Sequence, residues 1–344
     1  MLTLPLYKHS FSSQRSLIAK SDAFEIYTFV YNSGVQAVEV RNAKGYLIIL
    51  PFMGQMVWQA QFLGINLGMK NMFSEPKPAS TIVETYGCFA FHAGMIRMGC
   101  PTPEDDHVLH GEMPCAPMDS AWLEIDDRQV IVKGRYEYVM GFGDHYLATP
   151  SVTLAHDASE FDIGMSVQNL ASKPMPLQYM CHINATYQEG AVMTQNLPDE
   201  AFMLRQSVPA HVQPTPQWLA YNQALTSAAP FTVLDEPGLH DPEIVYFADG
   251  IDRYTERARF AMAMGDKCLI TEFDTKQFNH LTRWILYNGD QQVAAYALPA
   301  TCRPEGFLAA KASGTLVYLA PGEERCFNVR TGIRECSATG ASPA

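Results

Sequence analysis

"FEIYTFVYNSGVQAVEV", from Phe24 to Val40, sets two runs of apolar and alternating residues on either side of Asn32, Ser33 and Gly34. Side chains that alternate between two faces mark a strand. Two such runs joined by a short turn containing glycine read as a β-hairpin. The pattern recurs outward from this stretch. "YLIILPF" and "MGQMVWQAQF" follow it, then "AWLEI", "RQVIVKGRYEYV", "YLATPSVTLAH" and "EFDIGMSVQNLA". The C-terminal half adds "EIVYFAD", "RARFAMAM", "KCLITEF", "TRWILYN", "VAAYALPA" and "GTLVYLAPGEERCFNVRTGI". Short strands at regular spacing, with Gly, Pro, Asn and Asp between them, predict an all-β sandwich or barrel. Few helices are expected. The clearest candidate is Thr215 to Leu225, "TPQWLAYNQAL".

No low-complexity linker, charge block or clean repeat divides the chain, so residues 1–344 read as a single domain. Its core is expected over about 24–330, with a flexible tail over 335–344 that includes "SATGASPA". Asn71 to Asp119 has a different texture, rich in Gly, Pro, Met and His. Such a loop-rich insertion on a β scaffold is where ligand-contacting groups gather, although an irregular crossover between sheets would look the same.

The chain has 344 residues, 47% of them hydrophobic, which is enough for a sizeable core. A formal charge of −12 with only 24 Lys and Arg argues against nucleic acid as a partner. A neutral polar ligand suits it better. No stretch has the roughly 18 apolar residues of a membrane span. The opening "MLTLPLYKHSFSSQRS" lacks the apolar core of a secretory signal, so a cytoplasmic location is expected. None of the eight cysteines forms a C-x-x-C pair, and they read as free thiols in a reducing compartment. Cys181 and His182 would point to opposite faces of a strand, which counts against a catalytic pair.

Two stretches carry candidate chemistry. "HVLHGEMPCAPMD", His107 to Asp119, places His107, His110 and Glu112 close together. As metal ligands they would need His92 or His182 to complete a shell. The spacing does not match the helical H-E-x-x-H motif, and on a strand His107 and His110 would diverge. As a pocket, His110 can exchange hydrogen bonds with a hydroxyl, while Gly111 allows the backbone a close approach. In "PLQYMCHINATY", Pro176 to Tyr187, a strand would put Met180, His182 and Asn184 on one face, with Tyr179 and Cys181 on the other. His182 and Asn184 then line a polar cavity, or else sit in the core satisfied by neighbouring groups.

The His-Gly step, the strand "YMCHINATY" and the late "PAT…PGEE" sequence resemble the galactose mutarotase superfamily, specifically its divergent aldose 1-epimerase-like group. The likeness runs in order from about Phe24 to Val329. It implies a large antiparallel β-supersandwich with a sugar in an open cleft on one sheet. It implies further that His110 positions the sugar, His182 protonates the ring oxygen, and a carboxylate takes the proton of the anomeric hydroxyl, with no cofactor. The chain departs from the group at that carboxylate, because "YALPAT" puts Leu298 where the acid is expected. Glu305 is the nearest substitute as catalytic base, with Glu112 and Asp241 as others, while Glu323 belongs to a turn. Arg97, Glu112, Asn184, Asp241 and Tyr179 are the candidate substrate-binding residues. Arg97 could equally hold a loop by an ion pair, and Asp241 could simply start a turn before Pro242. Phe91, Trp284 and Tyr296 could stack on a sugar or fill the core, and Lys311 reads as solvent-facing.

The function expected is therefore anomer interconversion of a small-molecule sugar, without nucleic acid or membrane partners, with a homodimer left open. Two rivals stand beside it. One is a metal-dependent sugar isomerase or epimerase using His107, His110, Glu112 and His182. The other is a sugar-binding protein that has lost its base at Leu298.

Overall fold

The computed structural model describes residues 1–209 and 212–336. Among these residues, two large antiparallel sheets account for most of the regular structure. The first runs Leu2–Leu6, Ser120–Ile125, Gln129–Val139, His145–Ala155, Glu160–Asn169, Glu324–Glu335, Lys267–Asp274, Arg257–Met264 and Val192–Gln195. The second runs Phe202–Leu204, Ile244–Asp249, His280–Tyr287, Gln292–Ala300, Met175–Ile183, Ala90–Met95, Val57–Phe62, Gly45–Ile49, Gln36–Asn42, Glu25–Val30 and Ser16–Lys20. The opening hairpin lies in this second sheet, closed by Gly34 N–H donating to the Tyr31 carbonyl at 2.9 Å. Gly34 there has φ +92°, a conformation most side chains resist.

The sheets meet face to face through apolar side chains, as two-layer β architectures require. Phe161 of the first sheet packs against Phe62 of the second and against Phe89, just before the strand Ala90–Met95, with ring centroids 5.9 and 5.8 Å apart. Tyr179 reaches Phe327 across the same interface at 4.8 Å. In the first sheet His145–Ala155 alternates between buried and partly exposed positions, the pattern of a strand with one wet face. Ala90–Met95, Met175–Ile183 and Gln292–Ala300 of the second sheet are buried almost throughout. Their outer face is covered, and the candidate site lies under that cover.

Three expectations are corrected. The strand Leu2–Leu6 extends the first sheet and buries Leu6, so the core begins well before Phe24. The loop-rich segment contains a strand, Ala90–Met95, whose apolar run is buried on both faces and so lacks alternation. Cys268 and Cys336 form a disulfide, so the cysteines are not all free thiols. Glu335 and Cys336 are thereby tied to the first sheet, while the rest of the expected tail, 337–344, lies outside the described residues. The helix Pro216–Leu225 forms where expected, capped by Thr215, whose hydroxyl accepts from Trp218 N–H at 3.1 Å. No helix among the described residues is long and apolar enough to cross a membrane.

Candidate functional site

Strand alternation on Met175–Ile183 sends Tyr179 inward and His182 outward. Tyr179 is buried between the sheets, and its hydroxyl pairs with His92 Nδ1 at 2.8 Å. It is a core residue and does not reach a sugar, which corrects its candidacy. His182 stacks on Phe91 at 4.5 Å and meets the edges of His110 at 4.9 Å, Trp284 at 5.8 Å and Tyr86 at 6.2 Å. The Tyr86 hydroxyl lies 3.4 Å from His182 Nε2. Asn184, the next residue on that face, donates from its amide to the Cys88 carbonyl at 2.9 Å. Burial holds His182 well below the ordinary imidazole range, and His110 adds to the effect while Asn184 opposes it. At neutral pH the ring is uncharged.

The His-Gly turn reaches His182 because the backbone stitches it to the strand next door. Gly94 N–H donates to the His110 carbonyl at 2.9 Å, and Met113 N–H to the Gly94 carbonyl at 2.7 Å. Both His110 and Gly111 have positive φ, 61° and 75°. A Cβ on Gly111 would stand 1.9 Å from the Arg97 carbonyl, so only glycine fits. Glu112 completes the stitch. Its Oε1 accepts from Met95 N–H at 2.9 Å, Ile96 N–H at 2.7 Å and the Tyr146 hydroxyl at 3.1 Å. These bonds make Glu112 a structural clamp, which corrects its candidacy as a substrate contact or base.

The carboxylate that comes to this cluster is Glu243, which the sequence reading missed. Its Oε2 accepts from Trp284 Nε1 at 2.6 Å and its Oε1 from Arg205 Nη2 at 2.7 Å. Glu243 is buried and Arg205 is largely shielded beside it. Asp241, two residues earlier, is exposed, a correction to its placement as the sugar-binding acid. Glu243 was legible in principle, because it shares strand parity with Val245, which pairs with Trp284. Tyr86 and Cys100 complete the surroundings. Burial pushes the Tyr86 phenol well above its ordinary value, with Cys88, Cys100 and Glu243 adding to it. Burial likewise pushes the Cys100 thiol up to about 12, with Glu243 raising it further and Arg205 opposing.

Leu298 is buried and pairs with Thr282 on the neighbouring strand. Met180 pairs with Ala300, so His182 and Leu298, each two residues along, fall on the same sheet face. Glu305 sits at the rim, accepting from the Ser207 hydroxyl at 3.1 Å and facing Arg303 at 3.8 Å. Arg97 pairs with Asp106 at 3.2 Å and lies over Phe307, the loop-holding alternative rather than a sugar clamp. His107 turns away to the Val108 carbonyl at 2.8 Å and toward Asp105. Of the four residues of the metal-site rival, His110 and His182 meet, while His107 and Glu112 are engaged elsewhere. Among the described residues, no group of three or more His, Cys, Asp and Glu side chains is arranged to hold a metal. The open cleft implied by the resemblance is closed here, since His110 is 6% and His182 3% exposed.

The arrangement sets two imidazoles among the aromatic rings of Tyr86, Phe91 and Trp284. The architecture is shared with solved structures. A protein from Klebsiella pneumoniae subsp. pneumoniae that carries a provisional aldose 1-epimerase name superposes with a TM-score of 0.79 at 16% identity, covering 96% of this chain and 91% of that one. A galactose mutarotase-like protein from Clostridium acetobutylicum gives a TM-score of 0.64 at 13% identity, covering 92% of this chain and 100% of its own. At these identities the likeness establishes the galactose mutarotase-like sandwich and nothing finer. No curated protein matches the chain at a significant level. The family profile described as "Domain of unknown function (DUF4432)" matches residues 32–333, and the chain belongs to that family.

Proposed function

We propose that the chain is an aldose 1-epimerase-like enzyme that interconverts the anomers of a neutral sugar. The observation that carries this reading is the meeting of His110 and His182, 4.9 Å apart, within a wall of Tyr86, Phe91 and Trp284. Aromatic faces suit the apolar side of a sugar ring, and the imidazoles suit its hydroxyls. The charged side chains that come to the site, Arg205 and Glu243, are already paired with one another. That balance favours an uncharged sugar over a phosphorylated one.

In this reading His110 positions the sugar and His182 exchanges a proton with it. Glu243, rather than Glu305, is the carboxylate of the site. It orients Trp284, whose ring meets His182, through the indole N–H. General acid–base steps of this kind contribute about 10²–10⁴-fold. His182→Ala is therefore expected to lower kcat by about that factor while sugar affinity changes only a few-fold. The check is anomer-exchange kinetics beside calorimetric binding of the same sugar. Equal losses in kcat and affinity would remove His182 from the proton-transfer step.

A further inference from the structure

Anomer exchange, on the reading above, needs a second proton-transfer group beside His182, and Leu298, on the same sheet face, has no ionisable side chain to supply it. We propose that Tyr86 is that group, its phenolic hydroxyl and His182 Nε2 acting together on the sugar.

The placement of Tyr86 is built rather than incidental. It follows a single 3-10 turn, Ile82–Thr85, fixed by reciprocal bonds between Thr81 and Glu84. Its ring is wedged edge-on between Phe91 at 5.8 Å and Trp284 at 6.1 Å, which aims the hydroxyl at His182 Nε2, 3.4 Å away. That separation is long for a hydrogen bond, as catalytic pairs often are until substrate draws them together. The carboxylates are engaged elsewhere or turned outward: Glu112 accepts from backbone amides, Glu305 from Ser207 and Glu243 from Arg205 and Trp284, while Asp241 is exposed.

The hydrogen-bond inventory supports the same assignment. In the proposed arrangement the Tyr86 phenol donates to His182 Nε2, which places the imidazole proton on Nδ1. On that side the nearest strand neighbour is Asn184, whose Oδ1 has no hydrogen-bond partner among the described residues. His182 Nδ1 has none either. The Asn184 side chain nevertheless acts on His182, favouring its protonated form against the effect of burial. Tyr86 thus meets one side of His182, and Asn184 is itself held by its amide donating to the Cys88 carbonyl.

The chemistry balances without a cofactor. The anomeric hydroxyl gives its proton to His182 Nε2 as the C1–O1 bond becomes a carbonyl. The C1–O5 bond breaks, its electron pair stays on O5, and O5 takes the proton of the Tyr86 hydroxyl. The resulting imidazolium then returns a proton to the phenolate beside it. After rotation about C1–C2, the same steps in reverse close the ring as the other anomer.

Tyr86→Phe keeps the ring and its packing and deletes only the hydroxyl. It is expected to lower kcat for anomer exchange at least ~100-fold, with KM within about threefold and melting temperature unchanged. In parallel, ¹⁵N NMR of the histidine side chains should show His182 carrying its proton on Nδ1, with the Nε2 resonance shifting in Tyr86→Phe. Wild-type kcat in Tyr86→Phe, or a proton on His182 Nε2 in the resting protein, would overturn the proposal while leaving anomer exchange intact. A wild-type protein that accelerates no aldose would instead defeat the functional reading, and the role of Tyr86 with it.

Discussion

His92, His182, His240 and His280 all hold a proton less tightly than a free imidazole, with burial the largest cause in each case. For His92 the value falls to about 3 and for His240 to about 4. The unfolded chain, with ordinary imidazoles near pH ~6.5, therefore binds more protons than the folded one as the solution is acidified. Their contribution to stability is complete above that pH and is lost as pH falls from ~6.5 toward the folded values. Each such histidine contributes up to about 1.4 kcal/mol per pH unit in that window. Denaturant unfolding at pH 7 and pH 5 is expected to show a clear loss at pH 5, and His92→Gln should flatten the slope. Equal stability at the two pH values would contradict it.

The same residues show what could be read in advance. His182 and its face were legible because strand alternation fixes which neighbours share a side. Tyr86 was not, because a residue after a 3-10 turn in an irregular segment carries no periodic signal. Glu243 was overlooked in favour of Asp241, since only the strand register distinguishes a residue that enters the sheet from one two positions outside it.

Among the elements, the turn that carries His110 is the most demanding. Gly111 combines a positive φ with backbone 1.9 Å from where a Cβ would stand. Gly111→Ala must distort the turn, at a cost of about 1–3 kcal/mol for the backbone conformation alone. It should also displace His110 from His182, so loss of sugar binding is expected to accompany the fall in stability. A variant as stable as the parent, measured by denaturant unfolding, would show that the turn tolerates a side chain. Most strands were legible from period-two runs, including Gln129–Val139 and His145–Ala155, because each has one wet face. Ala90–Met95 escaped notice because it is covered on both sides, and that covering is what creates the site.

At the scale of the molecule, the two ends of the described chain are built into the first sheet. Leu2–Leu6 forms one edge, and Glu324–Glu335 runs between Glu160–Asn169 and Lys267–Asp274. The Cys268–Cys336 disulfide fastens that last strand across 68 residues of chain. No sequence pattern announced it, because pairing follows from strand register and not from cysteine spacing. A loop of this length corresponds to about 4 kcal/mol of lost unfolded-state entropy. Thiol titration of the denatured, unreduced protein is expected to find six of the eight cysteines reactive. Eight reactive thiols would contradict the bridge.

The sandwich and its family are established, while anomer exchange rests on the histidine cluster alone. Saturation-transfer NMR of unmodified aldoses, with and without the purified chain, measures that activity directly. The expected result is accelerated exchange between α and β anomers of at least one sugar, abolished by His182→Ala. Sugars that bind at the site with no acceleration of exchange would contradict it.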